Sequence, residues 1–236
     1  MLTKIDFERA KKIIEGLVIP EEFGVNGETD EFDGWCDLDL QVRRCGLHNF
    51  RIDNGISKAV IIPTDENFVI KIPFNGITYP VWDEEAEEYS DSYFEPFRGA
   101  EAPDNTDYCW DELRKIEKAE YAGFFNLFPE TAFLGEENGV RFYIQEKVQT
   151  ASHAERPRVS EDSRNKAKQL DNYYRACSED WRAAVIEFYG EDFWKSFVDW
   201  DSINCIGILT DMHYNNYGYN IDGRPVILDA SGYRED

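Results

Sequence analysis

The chain has 236 residues, 42% of them hydrophobic and 15% aromatic, and a formal net charge of −23. That is enough apolar material for one large domain or two lobes. The acidity works against a nucleic-acid binder, which needs a basic face to meet phosphates, and no run of about 18 apolar residues predicts a membrane span.

The five cysteines are odd in number and form no Cys-x-x-Cys, and the three histidines are scattered. These features predict reduced thiols in a cytoplasm, with neither a disulfide framework nor an imidazole-built metal site. The N-terminus runs into a charged helical pattern and not a signal peptide.

Over residues 6–17 the spacing of Phe7, Ala10, Ile13, Ile14 and Leu17, with Ile5 ahead of them, predicts an amphipathic helix. Asp6 is its expected cap, and Gly16 and Pro20 end it. Residues 21–34 predict a loop, and 35–42 a strand or a short covering helix. Residues 50–53, 59–62 and 68–72, separated by turn formers, predict a three-stranded antiparallel meander.

Residues 73–111 break the pattern. Between Asp83 and Glu112 twelve acids stand against one base, Arg98, and aromatics are interleaved. A wholly disordered segment would carry fewer aromatics. An insertion is expected, partly packed and acidic outside. It reads as a solvated loop or, alternatively, as a surface for a basic protein partner or a cation.

A helix follows over 110–125. Residues 128–135 and 140–148 predict a hairpin through Asn138-Gly139. Residues 150–165 read as a polar linker, and 166–176, 178–189 and 193–200 as helices.

The last stretch carries the chemistry. Asp211 precedes Asn216 by five residues, and Asn216 precedes Asp229 by thirteen. Between them Asp222-Gly223, flanked by apolar residues, predicts a hairpin. Phosphoryl transfer from ATP needs a carboxylate near the acceptor hydroxyl and oxygen ligands for the Mg²⁺ that bridges the phosphates. Asp211 fits the first need. Asn216 and Asp229, entering and leaving the hairpin, fit the second. Asp and Asn are also common turn formers, so an ordinary hairpin with polar ends has the same composition.

The run Asp211-Met212-His213-Tyr214-Asn215-Asn216 resembles the Asp-x-His-x-x-Asn catalytic loop of the protein-kinase-like superfamily, nearest its aminoglycoside and choline phosphotransferase branch. Asp229-Ala230-Ser231-Gly232 looks like a variant of the metal-binding Asp-Phe-Gly, with glycine one place later. Val69-Ile70-Lys71 is similar to the family's Val-Ala-Ile-Lys strand. The resemblance covers residues 50–233.

It implies an α+β, two-lobed fold. The N-terminal lobe, residues 1–148, would hold an antiparallel five-stranded sheet plus helix and the acidic insertion 73–111. The short, mostly helical C-terminal lobe, residues 149–236, would carry the catalytic hairpin.

The resemblance also implies roles. Lys71 contacts the α- and β-phosphates. A helix glutamate pairs with that lysine: Glu112 first, since it shares a face with Ile116 and Ala119, then Glu117, with Glu120 the third candidate. Gly55 and Ser57 occupy the place of the phosphate-covering loop, with one glycine where the family has three. Glu146 and Val148 lie in the hinge whose backbone bonds adenine. Asp211 is catalytic, and Asn216 and Asp229 bind Mg²⁺.

There are departures. Thr210 stands where the family has His or Gly, and the chain stops seven residues after Asp229, without the family's acceptor-holding helices. The function implied is an ATP- and Mg²⁺-dependent phosphotransferase of unnamed acceptor. The alternative is a nucleotide-binding pseudokinase acting as an acidic interaction module. A DNA-mimicking inhibitor would account for the charge but not for the Lys–Asp–Asn–Asp order.

Overall fold

The computed structural model describes residues 1–19, 23–25, 38, 42–54, 57–75, 82, 83, 85, 87–89, 92–97, 107–152, 158–170 and 178–230. The protein is α+β. It divides into two compact units, Met1–Asp111 with Thr131–Glu146, and Glu112–Glu130 with Lys147–Asp236. Residues 112–130 thus group with the second unit, whereas the sequence-derived bounds keep them in the first. Among the described residues no helix is long and apolar enough to cross a membrane.

The first unit is built on the meander β2 (Phe50–Asn54), β3 (Lys58–Pro63) and β4 (Phe68–Asn75), joined by β8 (Thr131–Glu137) and β9 (Val140–Glu146). All pairings are antiparallel, and β9 lies between β4 and β8. The β8–β9 turn takes Asn138 and Gly139 at φ 49 and 80, the left-handed pair that suits a tight hairpin.

Two further strands of this sheet lie where none was expected. β1 (Phe23–Val25) falls in a stretch that reads as loop, and β7 (Ser92–Pro96) inside the acidic insertion. β7 pairs with the far end of β4 and with β1, extending the sheet to seven strands. β5 (Trp82–Asp83) and β6 (Glu88–Tyr89) form a separate ribbon. The described part of the insertion is therefore strand-forming, and β4 itself runs on to Asn75. A solvated loop is not what these residues form.

Strand alternation gives the sheet two unlike faces. Ala59, Ile61, Phe68, Ile70, Ile72, Phe142 and Ile144 share a core with Ala10, Ile13 and Ile14 of α1 (Lys4–Ile14), with Leu17 just beyond it, and with Leu38 and Val42, which are helical. Full burial of one such aliphatic side chain contributes about 1.5–3 kcal/mol. α1 starts one turn earlier than expected. Thr3 is its cap and Asp6 is the return partner of a capping box, satisfying two end donors at once. Ile5, assigned to the apolar face, is exposed.

The second unit holds most of α2 (Tyr108–Tyr121) and the helices α3 (Glu161–Gln169), α4 (Glu179–Tyr189) and α5 (Glu191–Ile203). It also holds a small sheet ordered β10 (Gln149–Thr150), β11 (Tyr217–Tyr219), β12 (Pro225–Ile227). Trp181, Trp194, Phe197, Phe128 and Tyr217 centre its core, with edge-on ring pairs such as Trp181–Trp194 at 5.8 Å. α3 begins in the stretch that reads as linker, capped by Ser160. α5 runs a turn longer than expected.

Candidate functional site

In the second unit the chain leaves α5 through Gly207, left-handed at φ 78, into a 3-10 turn, Ile208–Asp211. Asp201, on the last turn of α5, reaches forward to this turn. Its two carboxylate oxygens accept the N–H groups of Ile208 (2.9 Å) and Leu209 (3.1 Å). The Thr210 hydroxyl donates to the Gly207 carbonyl at 2.7 Å. Ile208, Leu209 and Met212 are buried in the core, so the backbone at Asp211 is held by packing on both sides.

The next turn is closed by Asn216 N–H donating to the His213 carbonyl at 2.8 Å. His213 is exposed, and its Nδ1 accepts the N–H of Asn215 at 3.3 Å. Asn216 is 7% exposed and opens the hairpin. Its carbonyl accepts two amides from the other strand's end, Leu228 at 2.8 Å and Asp229 at 3.3 Å. Asn216 and Asp229 are thereby fixed side by side, which the spacing alone predicts.

The hairpin between them is tied down at every level. At its tip the Asn220 side-chain oxygen accepts from Asp222 N–H (3.1 Å) and Arg224 N–H (3.0 Å). Along its length Trp181 Nε1 donates to the Gly218 carbonyl at 3.1 Å, and the Tyr217 hydroxyl accepts Ser178 N–H at 2.9 Å. The Tyr189 hydroxyl donates to the carbonyls of Asn126 (2.7 Å) and Pro225 (3.1 Å), and burial pushes its pKa up to about 12. Gly218 passes so close to β10 that a Cβ there would lie 2.0 Å from the Gln149 carbonyl oxygen.

In the first unit Lys71 sits mid-strand on β4 and is 4% exposed. It stands opposite Val60 on β3 and Tyr143 on β9. Directly paired residues share a face, so Lys71 lies on the face away from Ile70 and Ile72, together with Lys58, Val69, Tyr143 and Gln145. A solvent-facing strand lysine is excluded by this burial. Asp107 orders the same face. Its carboxylate caps α2 through Trp110 N–H (2.9 Å), accepts the Tyr143 hydroxyl, and pairs with Arg141 at 3.0 Å. Burial, then the bond to Asp107, drives the Tyr143 pKa far above the ordinary phenol range.

The expected hinge residues follow β4's neighbour. Glu146 ends β9, buried and paired with Phe68, and Val148 is half-buried. Ser57 is half-buried just ahead of β3, and Gly55 lies outside the described residues. Among the helix glutamates Glu112 is 0% exposed, in the second unit, on one stripe with Lys115, Ile116 and Ala119. Glu117 and Glu120 are exposed, and Glu117 is ion-paired with Arg114 at 3.4 Å.

Among the described residues no three His, Cys, Asp or Glu side chains cluster as a metal centre. The pair Asn216 and Asp229 offers hard oxygen donors, one amide and one carboxylate. That small set fits Mg²⁺, which takes one or two carboxylates from protein and completes its shell with phosphate oxygens and water.

Three residues of this assembly are absent from the sequence-derived set: Asp201, Trp181 and Gly218. Asp201 had a signal. Trp194, Phe197, Val198 and Asp201 fall at the spacing of one helical stripe, so a carboxylate stands where an apolar residue belongs. Gly218, inside a short strand, marks a close backbone approach. Compared with protein-family models, curated proteins and solved structures, the chain matches none.

Proposed function

We propose that this chain is an ATP- and Mg²⁺-dependent phosphotransferase of the protein-kinase-like type, acting on a hydroxyl acceptor in the cytoplasm. The observation that carries the proposal is the junction at Asn216. The backbone carbonyl of Asn216 accepts the backbone N–H of Asp229, so the residue bearing an amide oxygen and the residue bearing a carboxylate are neighbours across the hairpin's open end, just past the turn that ends at Asp211.

The order of elements supports it too: meander, buried strand lysine, helix with a buried glutamate, hinge strand, helices, 3-10 turn, hairpin, Asp229. The roles divide by chemistry. Asn216 and Asp229 hold the metal ion. Bound Mg²⁺ supplies charge neutralisation across the phosphate oxygens as the phosphoryl group moves.

Lys71 adds fixed positive charge for the phosphates, which a chain of net charge −23 otherwise repels. Asp211 orients the acceptor hydroxyl and takes its proton. Backbone amides ahead of β3 and in the hinge supply the remaining polar contacts to nucleotide.

The test is a thermal-shift titration with ATP and Mg²⁺ on the wild type and on Lys71→Ala, Asp229→Ala and Asp211→Ala. At 100 times Kd, binding stabilises by about 2.7 kcal/mol. The expected result is a Mg²⁺-dependent shift lost in the Lys71 and Asp229 variants and kept in the Asp211 variant, which loses transfer. A wild type without any shift overturns the proposal. A shift without transfer to any hydroxyl or to water leaves the pseudokinase alternative, an acidic module for a basic partner.

A further inference from the structure

Asp201 is a carboxylate 3% exposed in an aromatic core, and the roles above leave it unused. The first N–H groups of a helical turn have no partner within the turn. At Ile208–Asp211 those of Ile208 and Leu209 are taken by Asp201, one by each oxygen. A neutral cap brings a single side-chain acceptor to such an end. Here a full charge has been buried instead, which costs free energy unless it is opposed.

What opposes that cost is first the pair of amides: the N–H groups of Ile208 and Leu209 draw the Asp201 pKa down against the upward push of burial, and the Gly207 amide and the charge of Lys115 on α2 act in the same direction.

We infer that Asp201 is a positioning residue that clamps the loop bearing Asp211. The role of the loop rests on the phosphotransferase proposal; the clamp itself does not. One carboxylate, fixed on the last turn of α5, takes the first two N–H groups of the turn that ends at Asp211, so the backbone entering that residue is anchored to the helix core by two hydrogen bonds. A neutral amide at 201 offers one acceptor oxygen where two are used, and the turn frays.

The experiment uses the full chain as wild type, Asp201→Asn and Asp201→Glu, the last keeping the charge but displacing the two oxygens. Amide hydrogen exchange is followed residue by residue, and Mg·ATP is the probe for both binding and phosphate release to water. Asp201→Asn should speed exchange at Ile208 and Leu209 by about tenfold or more, with the Tyr217–Tyr219 amides unchanged. Asp201→Glu should speed the same two amides by a smaller factor.

In both variants kcat should fall while the Kd for Mg·ATP stays within about threefold, the split expected when a loop is displaced and binding is spared. Unchanged exchange at Ile208 and Leu209 in a folded Asp201→Asn overturns the clamp. If that variant does not fold, Asp201→Glu decides, and unchanged exchange at the two amides there overturns the clamp. A wild type that binds no Mg·ATP sinks the phosphotransferase proposal, and the exchange results still decide the clamp.

Discussion

The backbone carbonyl of Asn216 accepts the amide N–H of Asp229 at 3.3 Å, across the open end of a hairpin whose strands are three residues each. The bond uses main chain on both sides, so it survives any side-chain change. Asn216→Ala therefore separates the side chain from the scaffold. Under the proposed phosphotransferase role it should weaken Mg²⁺-dependent ATP binding by about tenfold, or 1.4 kcal/mol. The ligand-free protein should lose no more than about 1–3 kcal/mol for the buried amide. Titration calorimetry with and without Mg²⁺, beside urea unfolding, measures both.

Gly218→Ala tests the close approach of β11 to β10. The new methyl would meet the Gln149 carbonyl at 2.0 Å, and the obstacle is backbone, so strands must part. Overpacking of this kind costs about 1–3 kcal/mol. A urea midpoint equal to that of the wild type would contradict the observed strand spacing.

Trp181→Phe keeps most of the ring volume and deletes the donor to the Gly218 carbonyl. Gly218 keeps its strand pairing with Val226, so the loss of this one further hydrogen bond should cost about 0.5–1.5 kcal/mol. The midpoint should fall with the urea m-value unchanged, since the surface exposed on unfolding is nearly the same.

Asp201 gives a pH signature of definite sign. Burial raises its pKa above 3.8, against the lowering effects of the Ile208, Leu209 and Gly207 amides and of Lys115. The folded state then holds this proton more tightly than the unfolded one, so Asp201's contribution is greatest below pH 3.8 and is lost as pH rises through the raised value. The stability of the wild type minus that of Asp201→Asn should decline from pH 3.5 towards neutrality (roughly over the carboxylate range). Other acids cancel in the difference. A difference that grows with pH would reverse the assignment.

Legibility followed locality. The hairpins through Asn138-Gly139 and Asp222-Gly223 were readable because their turns need residues that tolerate positive φ. Asn216 and Asp229 were readable as neighbours because the hairpin between them sets the spacing. β1 and β7 were not, since Phe23–Val25 and Ser92–Pro96 become strands only by pairing with each other and with β4.

α3 was placed late because Glu161–Gln169 buries only Ser163 and Ala167. So polar a helix leaves almost no apolar stripe to detect. Thr3 and Asp6 are both cap-like because a capping box contains two such residues, three apart, so the sequence does not single out Thr3. Lys71 stands out by the likeness of its strand, while its burial comes from pairing on both sides, beyond any local pattern.

The small sheet of the second unit also orders events during folding. Gln149 pairs with Tyr219 and Thr150 with Gly218, and α3, α4 and α5 all lie in the chain between them. An isolated two-stranded hairpin is marginal in water, and long-range pairing carries its loop-closure entropy before any contact rewards it. The hairpin should therefore form only after Trp181 and Tyr189 are in place to receive it. Nascent chains would reach a helical stage first, with Asn216 and Asp229 still apart, and bring these two residues together in the last step.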